Sequence, residues 1–155
     1  LAGWTGATAY VNVLYSGGSR VNASYTGSLM GVSSAEVQVP TARLFQAWIQ
    51  QNFLNEQFSL LAGIYPIDSE FFAVESASLL IHPAFGPPGD LALTHVPSVF
   101  NTAAPGLRAK WLSADRTLYG MAAVVNGVAG DPGDPKAYFF KASSGGGAFV
   151  IGELG

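Results

Sequence analysis

Apolar and polar residues alternate along much of this chain, which is the pattern of β-strands with two chemically different faces. Amphipathic helices would instead repeat their apolar residues every three or four positions. The alternation predicts about six to eight strands of roughly ten residues. They cover residues 7–15, 21–29, 44–53, 58–65, 107–112 and 118–126 and, more weakly, 137–141 and 148–154.

Turn residues join neighbouring strands into antiparallel pairs. Residues 16–19 (Ser-Gly-Gly-Ser) link 7–15 to 21–29, where the alternation is cleanest, and Asn55-Glu56 links 44–53 to 58–65. Residues 113–116 lead from 107–112 into 118–126 in the same way. Gly, Asn, Asp and Ser are the residues that tight turns favour, so each pair is predicted to be a hairpin.

Residues 67–105 interrupt the alternation. Prolines and glycines here forbid a long regular element, although 75–81 could form a short helix. We therefore predict a long structured loop. Its helix-breaking residues are Pro83, Gly86, Pro87, Pro88, Gly89 and Pro97.

The composition favours a membrane sheet over a soluble one. Charged residues make up only 11% of the chain and hydrophobic residues 49%, against about 25% charged in ordinary soluble domains. No charge-free apolar run reaches the roughly 18 residues of a spanning helix, and a sheet in lipid must close because an open edge has no hydrogen-bond partners. We predict an all-β fold, an antiparallel transmembrane β-barrel of which residues 1–155 form a single segment.

A soluble β-sandwich that binds glycans without transporting them is the alternative. Its strands alternate too, but their outward residues usually include Lys and Glu. The polar positions here are mostly Ser, Thr, Asn and Gln.

Several function classes lack the residues that they need. Without cysteine, the chain has neither disulfides nor thiolate metal sites. Its seven basic residues are dispersed and the net charge is −3, so nucleic acid is not an expected partner. His82 and His95 have no neighbouring ligand at metal spacing, and the carboxylates of 130–135 lack the ligand series of a calcium loop. No cofactor is expected.

Several stretches resemble the carbohydrate-selective porin family, often called OprB. They are ARLFQAWIQQNF at 42–53, FSLLAGIYPIDSEFF at 58–72, IHPAFG at 81–86 and GLRAKWLSADRTLYGMAAVVNG at 106–127, followed by the GDPGDP loop. The resemblance implies a water-filled barrel in the bacterial outer membrane that admits monosaccharides by passive diffusion, without catalysis. Such a barrel needs more strands than this chain holds, so we expect an internal part of a longer protein. Sugars and outer-membrane lipid are the expected partners, and a homo-oligomer is left open.

The polar positions are the candidate pore-lining residues if the apolar positions meet lipid. Amide and charged groups replace the water around a sugar, and an aromatic ring supports the C–H face of a pyranose. Trp48 suits the second role, with a membrane-girdle anchor as the alternative. The candidates in the strands are Gln46, Trp48, Gln50, Asn52, Arg108 and Lys110.

Asp68 and Glu70 are candidates on the loop that follows 58–65. They could narrow the pore, or one could pair with an arginine such as Arg43. A glycosidase needs two carboxyls about 5–10 Å apart across a sugar, which residues two positions apart meet only occasionally. We therefore predict no enzymatic activity.

Overall fold

The computed structural model of the chain describes residues 3–29, 31–33, 35–37, 39–89, 91, 98–131, 134–138 and 146–155. Six strands form one antiparallel sheet in the order β1-β2-β3-β4-β5-β8, and β6 pairs with β7 in a separate ribbon. The predicted all-β antiparallel fold is confirmed. The strands are β1 (Ala7–Ser16), β2 (Thr41–Phe53), β3 (Phe58–Tyr65), β4 (Ala104–Leu112), β5 (Tyr119–Asn126), β6 (Gly130–Asp131), β7 (Asp134–Tyr138) and β8 (Ala148–Leu154).

Hairpins with short turns form where two of the turn sequences predict them. β2 runs through a turn at 54–57 into β3, and β4 runs through 113–118 into β5. β1 and β8 each have one neighbour in the sheet, which is therefore open. Of the weaker strand candidates, 148–154 is β8, whereas 137–141 is described only as far as the end of β7, and His95 lies outside the described residues.

The predicted strand at 21–29 is wrong, and the hairpin at 16–19 with it. Asn22–Thr26 form a short π-helical turn instead, and β1 pairs with β2. The Asn22 side chain holds this turn: its Nδ2 donates to the Ser28 carbonyl at 2.9 Å, and its Oδ1 accepts from the Ser28 N–H at 2.8 Å. The Asn22 N–H donates to the Glu36 carboxylate at 3.0 Å. Such local hydrogen bonds offer the backbone an alternative to a strand ladder.

One face of the sheet is almost entirely apolar, and we call it the apolar face. A row of paired residues crosses all six strands on this face: Ala9, Ile49, Ala62, Leu107, Val124 and Val150. A second row holds Phe53, Phe58 and Trp111 at the hairpin end. The larger side chains are exposed, with Leu107 at 58% and Val150 at 71%.

The opposite face is chemically mixed, and we call it the mixed face. One of its rows runs through Thr8, Gln50, Leu61, Arg108, Ala123 and Ile151. Residues 66–103, of which 66–89, 91 and 98–103 are described, connect β3 to β4 and pack Ile67, Phe71, Leu91 and Val99 against this face, and we call them the inner segment. Ile67 and Phe71 of the inner segment are fully buried with Leu61, Met121 and Val125.

The inner segment confirms the predicted long loop. Its described residues include short 3₁₀ turns at Ile67–Ser69, Glu75–Leu79 and Pro83–Phe85 and an isolated bridge between Val99 and Thr102. The second of these corresponds to the predicted short helix at 75–81.

A β-bulge moves Phe45 away from its predicted exposed position. The pairing skips from Asn12–Gln46 to Val13–Leu44, which leaves Phe45 without a partner in β1. Phe45 is only 4% exposed and meets the Phe100 ring edge-on at 5.6 Å. The bulge re-aims the side chain, as such irregularities commonly do.

Gly63 provides a test of how closely β2 and β3 approach. Its φ is +142°, and a Cβ there would overlap the Ala47 carbonyl oxygen and the Trp48 backbone. We expect Gly63→Ala to destabilise the folded protein by roughly 2 kcal/mol or more. The measurement is the fraction of full-length protein that migrates as a folded, heat-modifiable band in detergent.

Gly152→Ala is the matched control, because a Cβ at Gly152 would meet only the Met121 carbonyl oxygen at an ordinary 3.8 Å. Equal folded fractions for the two variants would contradict the close approach at Gly63.

Candidate functional site

The polar positions of β1 and β2 share the mixed face. Tyr10 pairs with Trp48, Thr8 with Gln50 and Asn12 with Gln46. None of these side chains is charged. We call the set the amide–aromatic patch, and it consists of Thr8, Tyr10, Asn12, Gln46, Trp48, Gln50 and Asn52.

Hydrogen bonds and stacking order the amide–aromatic patch. The rings of Tyr10 and Trp48 stack with centroids 5.2 Å apart and planes 25° from parallel. Trp48 Nε1 donates to Gln46 Oε1 at 3.1 Å, and Gln50 Nε2 donates to Asn52 Oδ1 at 2.8 Å. The patch therefore presents a fixed aromatic surface beside several amides.

Trp48 lies on the face opposite to the exposed apolar row. The aromatic row of the apolar face is Phe53, Phe58 and Trp111, with the first two rings 6.1 Å apart. Sequence reasoning missed Tyr10, because its partner could be found only once β1 was known to pair with β2.

Arg108 is the centre of a buried hydrogen-bond network. Its Nε and Nη2 donate to the two carboxylate oxygens of Glu70, each at 2.7 Å. Nη1 donates to Ser59 Oγ at 2.6 Å, and Nη2 also donates to Gln50 Oε1 at 2.7 Å. Arg108 is 3% exposed, so its charge is matched by a bidentate carboxylate, the strongest form of this contact.

The alternative of a salt bridge with an arginine therefore holds for Glu70, and the arginine is Arg108 and not the example, Arg43. Glu70 lies at the start of the inner segment and Arg108 in the middle of β4. The ion pair joins the inner segment to the sheet wall. Losing either partner would leave a buried charge unpaired, which is strongly unfavourable.

Asp68 links the two ends of the inner segment. Its carboxylate accepts the Phe100 N–H at 2.9 and 3.1 Å, which ties the two ends of the inner segment together. Burial raises the pKa of the Asp68 carboxyl, and the hydrogen bond from Phe100 offsets part of this rise.

Two contacts that sequence reasoning missed complete the attachment. Ser98 Oγ donates to the Tyr65 carbonyl at 2.7 Å and accepts the Ala104 N–H at 2.8 Å. The Glu153 carboxylate accepts the Phe72 N–H at 3.2 Å and the Tyr119 hydroxyl at 2.6 Å. Glu153 stands out in the sequence only as a charged residue in the weakly predicted last strand.

Lys110 lies on the mixed face, one row away from Arg108. Its row runs through Asn52, Ser59, Lys110, Met121 and Glu153. Lys110 Nζ is 5.8 Å from the centre of the Tyr119 ring, within the range of a cation–π contact.

Among the described residues, no cluster of three or more His, Asp or Glu side chains could hold a metal ion. None of the helices in the same part of the chain is long and apolar enough to cross a membrane.

Comparison with known proteins identifies the family. The family model of the carbohydrate-selective porins, OprB family, matches residues 1–155. The chain belongs to this family. A comparison with curated proteins and with solved structures gave no match. OprB proteins are β-barrel porins, a channel family, and the open six-stranded antiparallel sheet corresponds to part of such a barrel.

The raised pKa of Asp68 predicts a pH dependence for the attachment of the inner segment. Because the folded-state pKa lies above the unfolded one, the favourable contribution of Asp68 is complete at low pH and is lost as pH rises through the folded pKa. We expect the stability of Asp68→Asn relative to wild type to increase as pH rises through the folded-state pKa of Asp68. Thermal unfolding of both proteins at a series of pH values measures the difference.

Asp115 provides a control of opposite sign. Hydrogen bonds from Ser113 and Thr117 lower its pKa, so its contribution is present at neutral pH and is lost as pH falls through the folded value. Asp115→Asn should therefore lose stability at neutral pH. The same sign for both variants would contradict this assignment.

Proposed function

We propose that the mixed face lines a water-filled channel through the bacterial outer membrane and that sugars diffuse through it passively. The observation that carries this proposal is the exposed apolar face: an apolar row crosses all six strands, and its larger side chains are exposed. A soluble protein would bury or break up such a surface, whereas a lipid-facing wall requires it. Residues 1–155 would then form one segment of the barrel domain.

The amide–aromatic patch supports passage of sugars rather than ions. Gln46, Gln50 and Asn52 offer donors and acceptors that can replace part of the hydration of a sugar hydroxyl. The aromatic surface of Trp48 and Tyr10 can support the C–H face of a pyranose ring. Contacts of this kind are individually weak, and weak contacts allow a solute both to enter and to leave.

The inner segment would narrow the channel. In the described residues it packs against Leu61 of β3, Met121 and Val125 of β5 and Ile151 of β8, and Trp48 of the amide–aromatic patch borders the same core. Asp68 and Glu70, the two candidate residues on this segment, hold it in position. The solute would pass between the patch and the opposing surface of the inner segment.

The alternative, a soluble glycan-binding sandwich, requires a second layer. Such a fold would cover the apolar face with another sheet, and in the described part of the chain no sheet packs there. The exposed rows of β2 to β8 therefore favour the channel.

Flux into liposomes tests the proposed function. Full-length protein should speed the entry of glucose well above the rate of empty liposomes. Removing the aromatic surface with Trp48→Ala should lower the preference for glucose over sorbitol, an acyclic polyol of similar size, by about threefold, because only the ring stacks on an aromatic face.

Trp111→Ala is the matched control, since Trp111 lies on the apolar face and should leave the glucose-to-sorbitol ratio unchanged. Wild-type protein that admits glucose no faster than empty liposomes would contradict the proposed function.

A further inference from the structure

The amide–aromatic patch is uncharged; Arg43 lies on the same face opposite Leu14, near one end of the patch, and Arg108 and Lys110 beside the other end each have a carboxylate nearby. The amide–aromatic patch contains only hydroxyl, amide and aromatic side chains. The adjoining row of β4 contributes Arg108, and Glu70 of the inner segment binds both edges of its guanidinium at 2.7 Å. In the next row, Lys110 of β4 and Glu153 of β8 are separated only by Met121 of β5.

Gln50 connects the Arg108 network to the amide–aromatic patch. The guanidinium donates to Gln50 Oε1 at 2.7 Å, and Gln50 in turn donates to Asn52 Oδ1 at 2.8 Å. Arg108 therefore lies one side chain behind the amide–aromatic patch. Without a carboxylate opposite it, its full positive charge would act on any solute at the patch.

We propose that Glu70 tunes the charge selectivity of the channel: by cancelling the charge of Arg108, it keeps this part of the wall neutral, so that uncharged sugars pass in preference to sugars bearing a carboxylate or phosphate. This inference rests on the proposed function. Glu70 acts through Arg108 and is a positioning residue that does not itself touch the solute.

Breaking the ion pair is unfavourable, but the inner segment keeps several other attachments when Glu70 loses its charge. Ile67 and Phe71 remain fully buried in the core beneath it. The Glu153 carboxylate still accepts the Phe72 N–H, and Ser98 still joins the end of β3 to the start of β4. Glu70→Gln also keeps a carbonyl oxygen as an acceptor for the guanidinium.

The test compares Glu70→Gln with the double variant Glu70→Gln/Arg108→Gln. The single variant leaves one uncompensated positive charge, whereas the double variant restores a neutral wall. Entry of glucose and of glucuronate, its carboxylate counterpart, into liposomes containing full-length protein gives the permeability ratio. The reversal potential of planar bilayers in a potassium chloride gradient gives a second, sugar-independent readout.

We expect Glu70→Gln to raise glucuronate entry relative to glucose by about twofold, the effect of one unit charge roughly 8 Å away in water, and to shift the reversal potential toward anion selectivity. The double variant should return both values to those of wild type. Glu56→Gln is the matched control. Glu56 lies in an exposed turn and pairs with Arg116 at 3.4 Å, so this variant should change neither the permeability ratio nor the reversal potential.

An unchanged ratio in Glu70→Gln would overturn the inference. Equal changes in the single and double variants would also overturn it, because they would assign the effect to the position of the inner segment and not to charge. Wild-type protein that admits neither sugar would instead contradict the proposed function, so the two failures are distinguishable.

Discussion

The structure depends on the alternation of side chains across hydrogen-bonded strands. Each strand sends successive residues to opposite faces, and antiparallel pairing keeps residues of one kind aligned across all six strands. Ile49, Leu107 and Val150 therefore stand in one apolar row, while Gln50 and Arg108 stand in a row on the other face. A slip of one residue in any pair would exchange the two surfaces.

The inner segment adds a second layer to one part of the mixed face. Ile67 and Phe71 supply its buried apolar contacts with the sheet. The Glu70–Arg108 pair fixes its register on the sheet. A buried ion pair contributes little net stability, but it is costly to break and so specifies one arrangement. The polar side chains of β1 and β2 form the part of the mixed face beside this layer.

The sequence predicted the strands well where alternation and turn chemistry agreed, as in β2, β3, β4 and β5. It failed at 21–29, where the alternation is clean but the Asn22 side chain satisfies the backbone locally. The polar face of β2 could be predicted from the alternation of apolar and polar residues alone. The pairing of Arg108 with Glu70 did not, because it joins residues far apart in the chain through a loop whose path no local pattern specifies.

The most direct test of the account is water accessibility along β2. The chain contains no cysteine, so single cysteines can be placed one at a time from Gln46→Cys to Asn52→Cys in the full-length protein and treated with a water-soluble thiol reagent in outer membranes. The account predicts labelling at 46, 48, 50 and 52 and protection at 47, 49 and 51. Labelling at Ile49→Cys as strong as at its neighbours would contradict it.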